Sequence, residues 1–199
     1  MKEKKNICFF YSSSQIEFIE NGEAFNDGEF ADQKKALIFM LNQLDQSGDN
    51  WQYYLRLHPL NPKYRDSGDE LKYWDEIKSY PNLQIIPPES SIDSYALGSK
   101  ATLTAHFGST IGAEILYFEL APVVSLRKMP WSKNYNEGLL NTEVNVIRYL
   151  KEKNFKLFPK ELTFPFAIFM NFGGSKFTFV TKDKLGNYKY FNKQMILKI

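Results

Sequence analysis

The chain has 199 residues, 43% hydrophobic and 24% charged, the make-up of one folded domain with a modest appendage rather than of a disordered chain. Its 25 basic and 23 acidic residues leave a net charge of +2, too little for the electrostatic footprint of a nucleic-acid-binding or anionic-membrane-binding protein. A lone cysteine excludes an internal disulfide, and no apolar stretch approaches the ~20 residues of a membrane span.

That cysteine, Cys8, lies in "NICFFYSS" (residues 6–13), a β-branched and aromatic run ending in serines that predicts a buried first strand. The basic start "MKEKKN" precedes an apolar run too short for a signal peptide, so a cytoplasmic protein with a buried, unreactive thiol is expected. In "DGEFADQKKALIFMLNQLDQSG" (27–48), Phe30, Gln33, Leu37, Leu41 and Leu44 recur at helical spacing, and Ser47-Gly48 ends the pattern. "WQYYLRLHP" (51–59) predicts a strand stopped by proline, "GDELKYWDEIKSY" (68–80) a short amphipathic helix, and "NLQIIPP" (82–88) a strand. "SSIDSYALGS" (90–99) predicts a short helix capped by Ser90 or Ser91 and closed by Gly98. Then come a strand "ATLTAHF" (101–107), a helix "STIGAEILYFE" (109–119), a strand "APVVSL" (121–126) and a helix "LLNTEVNVIRYLKEK" (139–153).

Strands alternating with helices predict βαβ units, and hence a Rossmann-like, doubly wound parallel sheet over residues 1–150. Residues 151–199 change character. They are aromatic-rich, with "AIFMNFGG" ending a helix and "KFTFVT" and "NYKYFN" forming a hairpin around residues 185–187, an appendage expected to pack on the α/β domain.

In doubly wound folds ligands bind beyond the carboxyl ends of the strands. Reading each strand to its end brings Ser12-Ser13-Ser14, His58-Pro59, Pro87-Pro88-Glu89-Ser90 and His106-Phe107-Gly108-Ser109-Thr110 to one edge, including both histidines of the chain. Gly108 lets backbone approach a ligand, and Ser109 or Thr110 either caps the next helix or joins its free amides in holding a phosphate. Arg56 shares a strand face with His58, which can donate to a phosphate oxygen while Pro59 stiffens the loop. Glu89 and Ser90 either flank a helix start or hold a ribose or base edge. The chain has no G-x-x-x-x-G-K-[ST] loop, no G-x-G-x-x-G after the first strand, no G-x-S-x-G elbow and no metal-ligand spacing, so no metal or cofactor is expected.

The ordered set "FYSSS", "DQKKAL", "LRLHP", "IIPPESSIDSYAL" and "GSTIGAE…APVV", spanning about residues 5–131, resembles the C-terminal half of capsule and surface polysaccharide biosynthesis proteins. These are glycosyltransferase-like chains of the GT-B type, built from two Rossmann-like domains. The resemblance implies a single GT-B half that binds the nucleotide of an activated sugar without a metal. His58-Pro59 resembles the His-Pro pair that contacts the nucleotide in bacterial transferases using CMP-sugars. On that resemblance Ser109 and Thr110 would take the phosphate and Glu114 would reach ribose hydroxyls, with Arg56 and Ser13 in the same pocket. His106-Phe107 departs from the small residue usual before the glycine and would narrow that pocket. The chain has room for one of the two domains, so the acceptor site and catalytic base are expected on a partner chain or across a homodimer, with no transfer by this chain alone. A second expectation is a non-catalytic GT-B remnant serving as an interaction module.

Overall fold

The computed structural model describes residues 6–13, 28–30, 32–58, 72–128, 138–172, 180–182 and 188–190. The chain divides into two compact units, Met1–Pro165 and Phe166–Ile199. The first holds a five-stranded, all-parallel sheet of β1 (Asn6–Tyr11), β2 (Trp51–Arg56), β3 (Leu83–Ile86), β4 (Leu103–His106) and β5 (Val123–Ser125). Their order is β3-β2-β1-β4-β5, the Rossmann-like arrangement that the alternation of elements predicts. The order reverses between β1 and β4. At such a switch point the following connections leave in opposite directions and open a crevice at the strand ends.

Helices cover both faces of the sheet. Strand residues alternate between faces, and Cys8, Phe10, Leu103, Ala105 and Val124 share one core with α1 (Gln33–Gln46) and α4 (Glu143–Glu152). Burial pushes the Cys8 thiol up to about 12, which leaves it protonated and inert at neutral pH. α1 forms because Ala36, Leu37, Met40, Leu41 and Leu44 fall on one buried face and the Asp32 carboxylate accepts from Lys35 N at 2.9 Å. Phe30 precedes the helix rather than opening it and is buried in the same core. Each fully buried Leu or Met contributes about 1.5–3 kcal/mol of transfer free energy.

The opposite face carries α2 (Ser94–Gly98) and α3 (Ile111–Tyr117). Tyr11 on that face donates to Ser94 O at 2.7 Å, and Ile115 of α3 lies against Gly98. Two helix starts differ from expectation. α2 is capped by Asp93 rather than Ser90 or Ser91, because the Asp93 carboxylate reaches two amides of the first turn. At α3, Thr110 already has helical dihedrals and its side chain makes no cap bond. Of the expected helix over 68–80, residues 72–73 are helical and lead into a 3-10 turn at Asp75–Ile77 beside the fully buried Trp74, and residues 68–71 lie outside the described residues.

The first unit ends in a 3-10 turn, Lys160–Thr163, and helix α5 (Phe164–Phe172) runs across the boundary. In the second unit β6 (Val180–Lys182) pairs antiparallel with β7 (Tyr188–Tyr190), while the expected turn at 185–187 lies outside the described residues. Among the described residues no helix is long and apolar enough to cross a membrane.

Candidate functional site

One row of register crosses the whole sheet at its carboxyl edge: Ile86, Arg56, Tyr11, His106 and Ser125 are aligned from β3 to β5. Aligned residues in a parallel sheet point to the same face, here the face of α2 and α3. A cleft of about 300 Å³ opens there at the switch point. Tyr11, Ser12, Arg56 and His58 form its sheet wall, and Asp93, Tyr95, Ser109, Thr110 and Glu114 its helix wall.

Arg56 is the site's principal charge, and it is only 4% exposed. Its Nη1 donates to Pro87 O, and its Nη2 donates to Ser90 O at 3.2 Å. Its Nε is buried with no acceptor, and among the described residues the guanidinium has no carboxylate within ion-pair distance. Desolvation lowers its pKa from the ordinary arginine value, while Tyr11 and Glu89 act in the opposite sense. A buried cation without a counter-anion is costly, and an anion entering the cleft removes that cost.

His58 lines the cleft half-buried, and its backbone N–H donates to Ser12 Oγ at 2.9 Å, which ties the end of β2 to the end of β1. Pro59 lies outside the described residues. In the loop after β4, Gly108 adopts φ 89°, a conformation that favours glycine. The hydroxyls of Ser109 and Thr110 make no hydrogen bond among the described residues, and neither do the amides from Gly108 to Ile111. The capping alternative for these two side chains is thereby set aside. They face the cleft with their hydrogen-bonding capacity unspent.

Four expected residues sit elsewhere. Ser13 is 1% exposed and locked, its N–H and C=O bonded to the Gln33 amide at 3.0 Å each and its Oγ donating to Phe107 O at 3.1 Å. It holds the loops and leaves the cleft wall to Ser12. Glu89 is exposed outside the cleft, and Ser90 acts on Arg56 through its carbonyl. His106 is fully buried under α3, where a Cβ on Gly112 would stand 2.3 Å from its Nε2. Sequence reasoning passed over Tyr11 and Tyr95, and met Ser12 only as one of three strand-end serines. Tyr11 was hidden in an aromatic strand, and Tyr95 meets the cleft only because α2 and α3 converge.

Burial holds the His106 imidazole neutral, its pKa lowered from 6.5 to about 3. The unfolded chain takes up this proton as pH falls through 6.5, and the native chain refuses it until near 3. The resulting stability is complete above the unfolded value and drains away below it, at up to about 1.4 kcal/mol per pH unit. Urea unfolding at pH 7, 5 and 4 should show a steeper acid loss in the native protein than in a His106→Gln variant. Equal slopes would place the ring in contact with solvent.

No protein-family model matches the sequence, and no curated protein matches it. Among solved structures the chain is similar to a UDP-GlcNAc 2-epimerase of Methanocaldococcus jannaschii in complex with UDP-GlcNAc and UDP, at 16% identity and a TM-score of 0.49, covering 85% of this chain and 46% of that one. It is similar to the Neisseria meningitidis UDP-GlcNAc 2-epimerase bound to UDP-GlcNAc at 14% identity and TM-score 0.48, over 86% of this chain and 45% of that one. A wall teichoic acid polymerase, TagF, aligns at 12% identity and TM-score 0.39, over 74% of this chain and 31% of that one. The chain thus spans less than half the length of each of these proteins.

Proposed function

We propose that this chain is the nucleotide-sugar-binding half of a GT-B type glycosyltransferase in capsule or surface polysaccharide biosynthesis, working in the cytoplasm on a CMP-linked sugar. The observation that carries the reading is Arg56, a buried guanidinium that lines the switch-point cleft with no carboxylate at ion-pair distance among the described residues. A phosphate supplies the missing anion. His58 and the unbonded amides and hydroxyls of the Gly108–Thr110 loop surround the same space with donors.

In sugar transfer the bond from anomeric carbon to phosphate oxygen breaks and negative charge grows on the departing nucleotide. Donors fixed in place before that moment stabilise it at no reorganisation cost. Arg56 is fixed by Pro87 O and Ser90 O, and the loop by the contact from Ser13 to Phe107. Glu114 faces the ribose side. The acceptor base lies outside the residues of this cleft, so these 199 residues alone should transfer no sugar.

Thermal unfolding against CMP, CDP, UDP and GDP, with His58→Ala alongside, tests the reading. A ligand at ~100 times its Kd adds roughly 2.7 kcal/mol, a rise of about 5–11 °C for a chain of this size. A rise for one nucleotide that shrinks in the variant is the expected result. No rise with any of them overturns it.

A second reading, a non-catalytic interaction module, is favoured by exposed aromatics beside the cleft, where Tyr117 is 46% and Phe118 56% exposed. A concentration-dependent dimer without nucleotide affinity would select it.

A further inference from the structure

A carboxylate in a cleft built for an anion calls for explanation. Glu114 faces the same space as Arg56, and a bare phosphate there would meet repulsion from it. The carboxylate is also held. Tyr95 donates its hydroxyl to Glu114 Oε2 at 2.6 Å, a length typical of a hydrogen bond to an ionised acceptor. That bond is the first cause of the rise in the Tyr95 pKa to about 12.

Tyr95 is itself held at both ends. Asp93 Oδ1 accepts from the backbone N–H of Tyr95 at 2.7 Å and of Ala96 at 2.9 Å, which fixes the first turn of α2. The ring packs edge-on to Phe118, with centroids 5.7 Å apart and planes at 84°. The phenol therefore has few positions open to it. A glutamate on a helix surface ordinarily samples several rotamers and loses that freedom when it binds something. Here the loss is taken at folding. Glu114 Oε1 makes no hydrogen bond among the described residues and keeps its lone pairs for a ligand.

We propose that Tyr95 is a positioning residue: by clamping one oxygen of Glu114 it presents the other as a fixed acceptor, so that the cleft binds a phosphate more tightly when a ribose hydroxyl accompanies it. The inference rests on the nucleotide reading above and adds to it a source of selectivity for ribonucleotides over 2′-deoxyribonucleotides. A site built to bond a hydroxyl rejects the analogue lacking it, because its own acceptor is then left unpaired.

Calorimetric titration of the full chain with CMP, 2′-deoxy-CMP and pyrophosphate tests this, using the native protein, Tyr95→Phe and Glu114→Gln. The native chain should favour CMP over 2′-deoxy-CMP by about tenfold, the scale of one hydrogen bond to a charged group. Tyr95→Phe should weaken CMP severalfold and shrink that preference to about threefold or less, leaving pyrophosphate unchanged. Loss of fold would weaken all three ligands together, whereas loss of positioning moves only the ribose preference. Glu114→Gln should shrink the preference in the same way, and it carries the test if Tyr95→Phe does not fold. An undiminished preference in the folded variants overturns the inference and leaves the nucleotide reading standing. A native chain that binds pyrophosphate and no nucleotide overturns both.

Discussion

Gly112→Ala should melt roughly 6–12 °C below the native protein, the equivalent of about 3 kcal/mol for a chain of this size. The added methyl would stand 2.3 Å from His106 Nε2, 2.4 Å from Cδ2 and 2.9 Å from Cε1. None of those atoms can retreat, because the ring is 0% exposed and belongs to the central strand row between Tyr11 and Ser125. The alternative is for α3 to lift off the sheet. That movement would carry the Gly108–Thr110 loop with it and open the cleft wall, so nucleotide affinity should fall together with stability. His106→Ala in the same chain supplies the control. Alone it leaves a cavity under α3 and costs stability. Combined with Gly112→Ala it makes room for the new methyl, so the double variant should be more stable than the sum of the single losses predicts. Melting of Gly112→Ala within about 2 °C of native would show that α3 does not rest on the imidazole.

This contact also shows what the sequence made legible. The five strands were visible because each apolar run is bounded by serine, proline or glycine, and the alternation with helical spacing fixed the parallel sheet. Strand order then brought the strand ends together, which is why Arg56, His58, Ser109, Thr110 and Glu114 meet in one cleft as expected. Face and cover were less visible. His106 and Arg56 lie in one row and point to one side, but α3 crosses directly over His106 and leaves Arg56 at the cleft. A helix path is a tertiary fact. The sequence held one trace of it in Gly112, since a glycine inside a helical pattern often marks a close approach. Ser12 and Ser13 differ for a similar reason. Gln33, twenty residues beyond Ser13 and at the head of α1, claims the backbone of Ser13. Tyr95 and Glu114 come from helices whose convergence no spacing records.

Arg56→Met should lose nucleotide binding by about 2–4 kcal/mol, roughly 30- to 1,000-fold, while the unliganded protein stays within about 1 kcal/mol of native stability. The asymmetry follows from the placement of the charge. Among the described residues the guanidinium of the free protein is desolvated, has no carboxylate at ion-pair distance and leaves its Nε without an acceptor. Methionine of similar volume removes that cost. It also removes two bonds to Pro87 O and Ser90 O, carbonyls that sit beside the cleft and can turn to water. These effects oppose one another and should nearly cancel. With ligand present nothing cancels, because the phosphate loses its buried counter-charge. Arg56→Lys should fall between the two. An ammonium keeps the charge but has no planar fork, so it cannot hold both carbonyls and face the ligand at once. Denaturant unfolding without ligand and titration with the bound nucleotide separate the two quantities. A Met variant that unfolds several kcal/mol early yet binds normally would make Arg56 a structural strut between β2 and the Pro87–Ser90 turn. A variant as stable as native that no longer binds would identify the buried cation as the seat of the phosphate, with part of the fold's stability held in reserve for it.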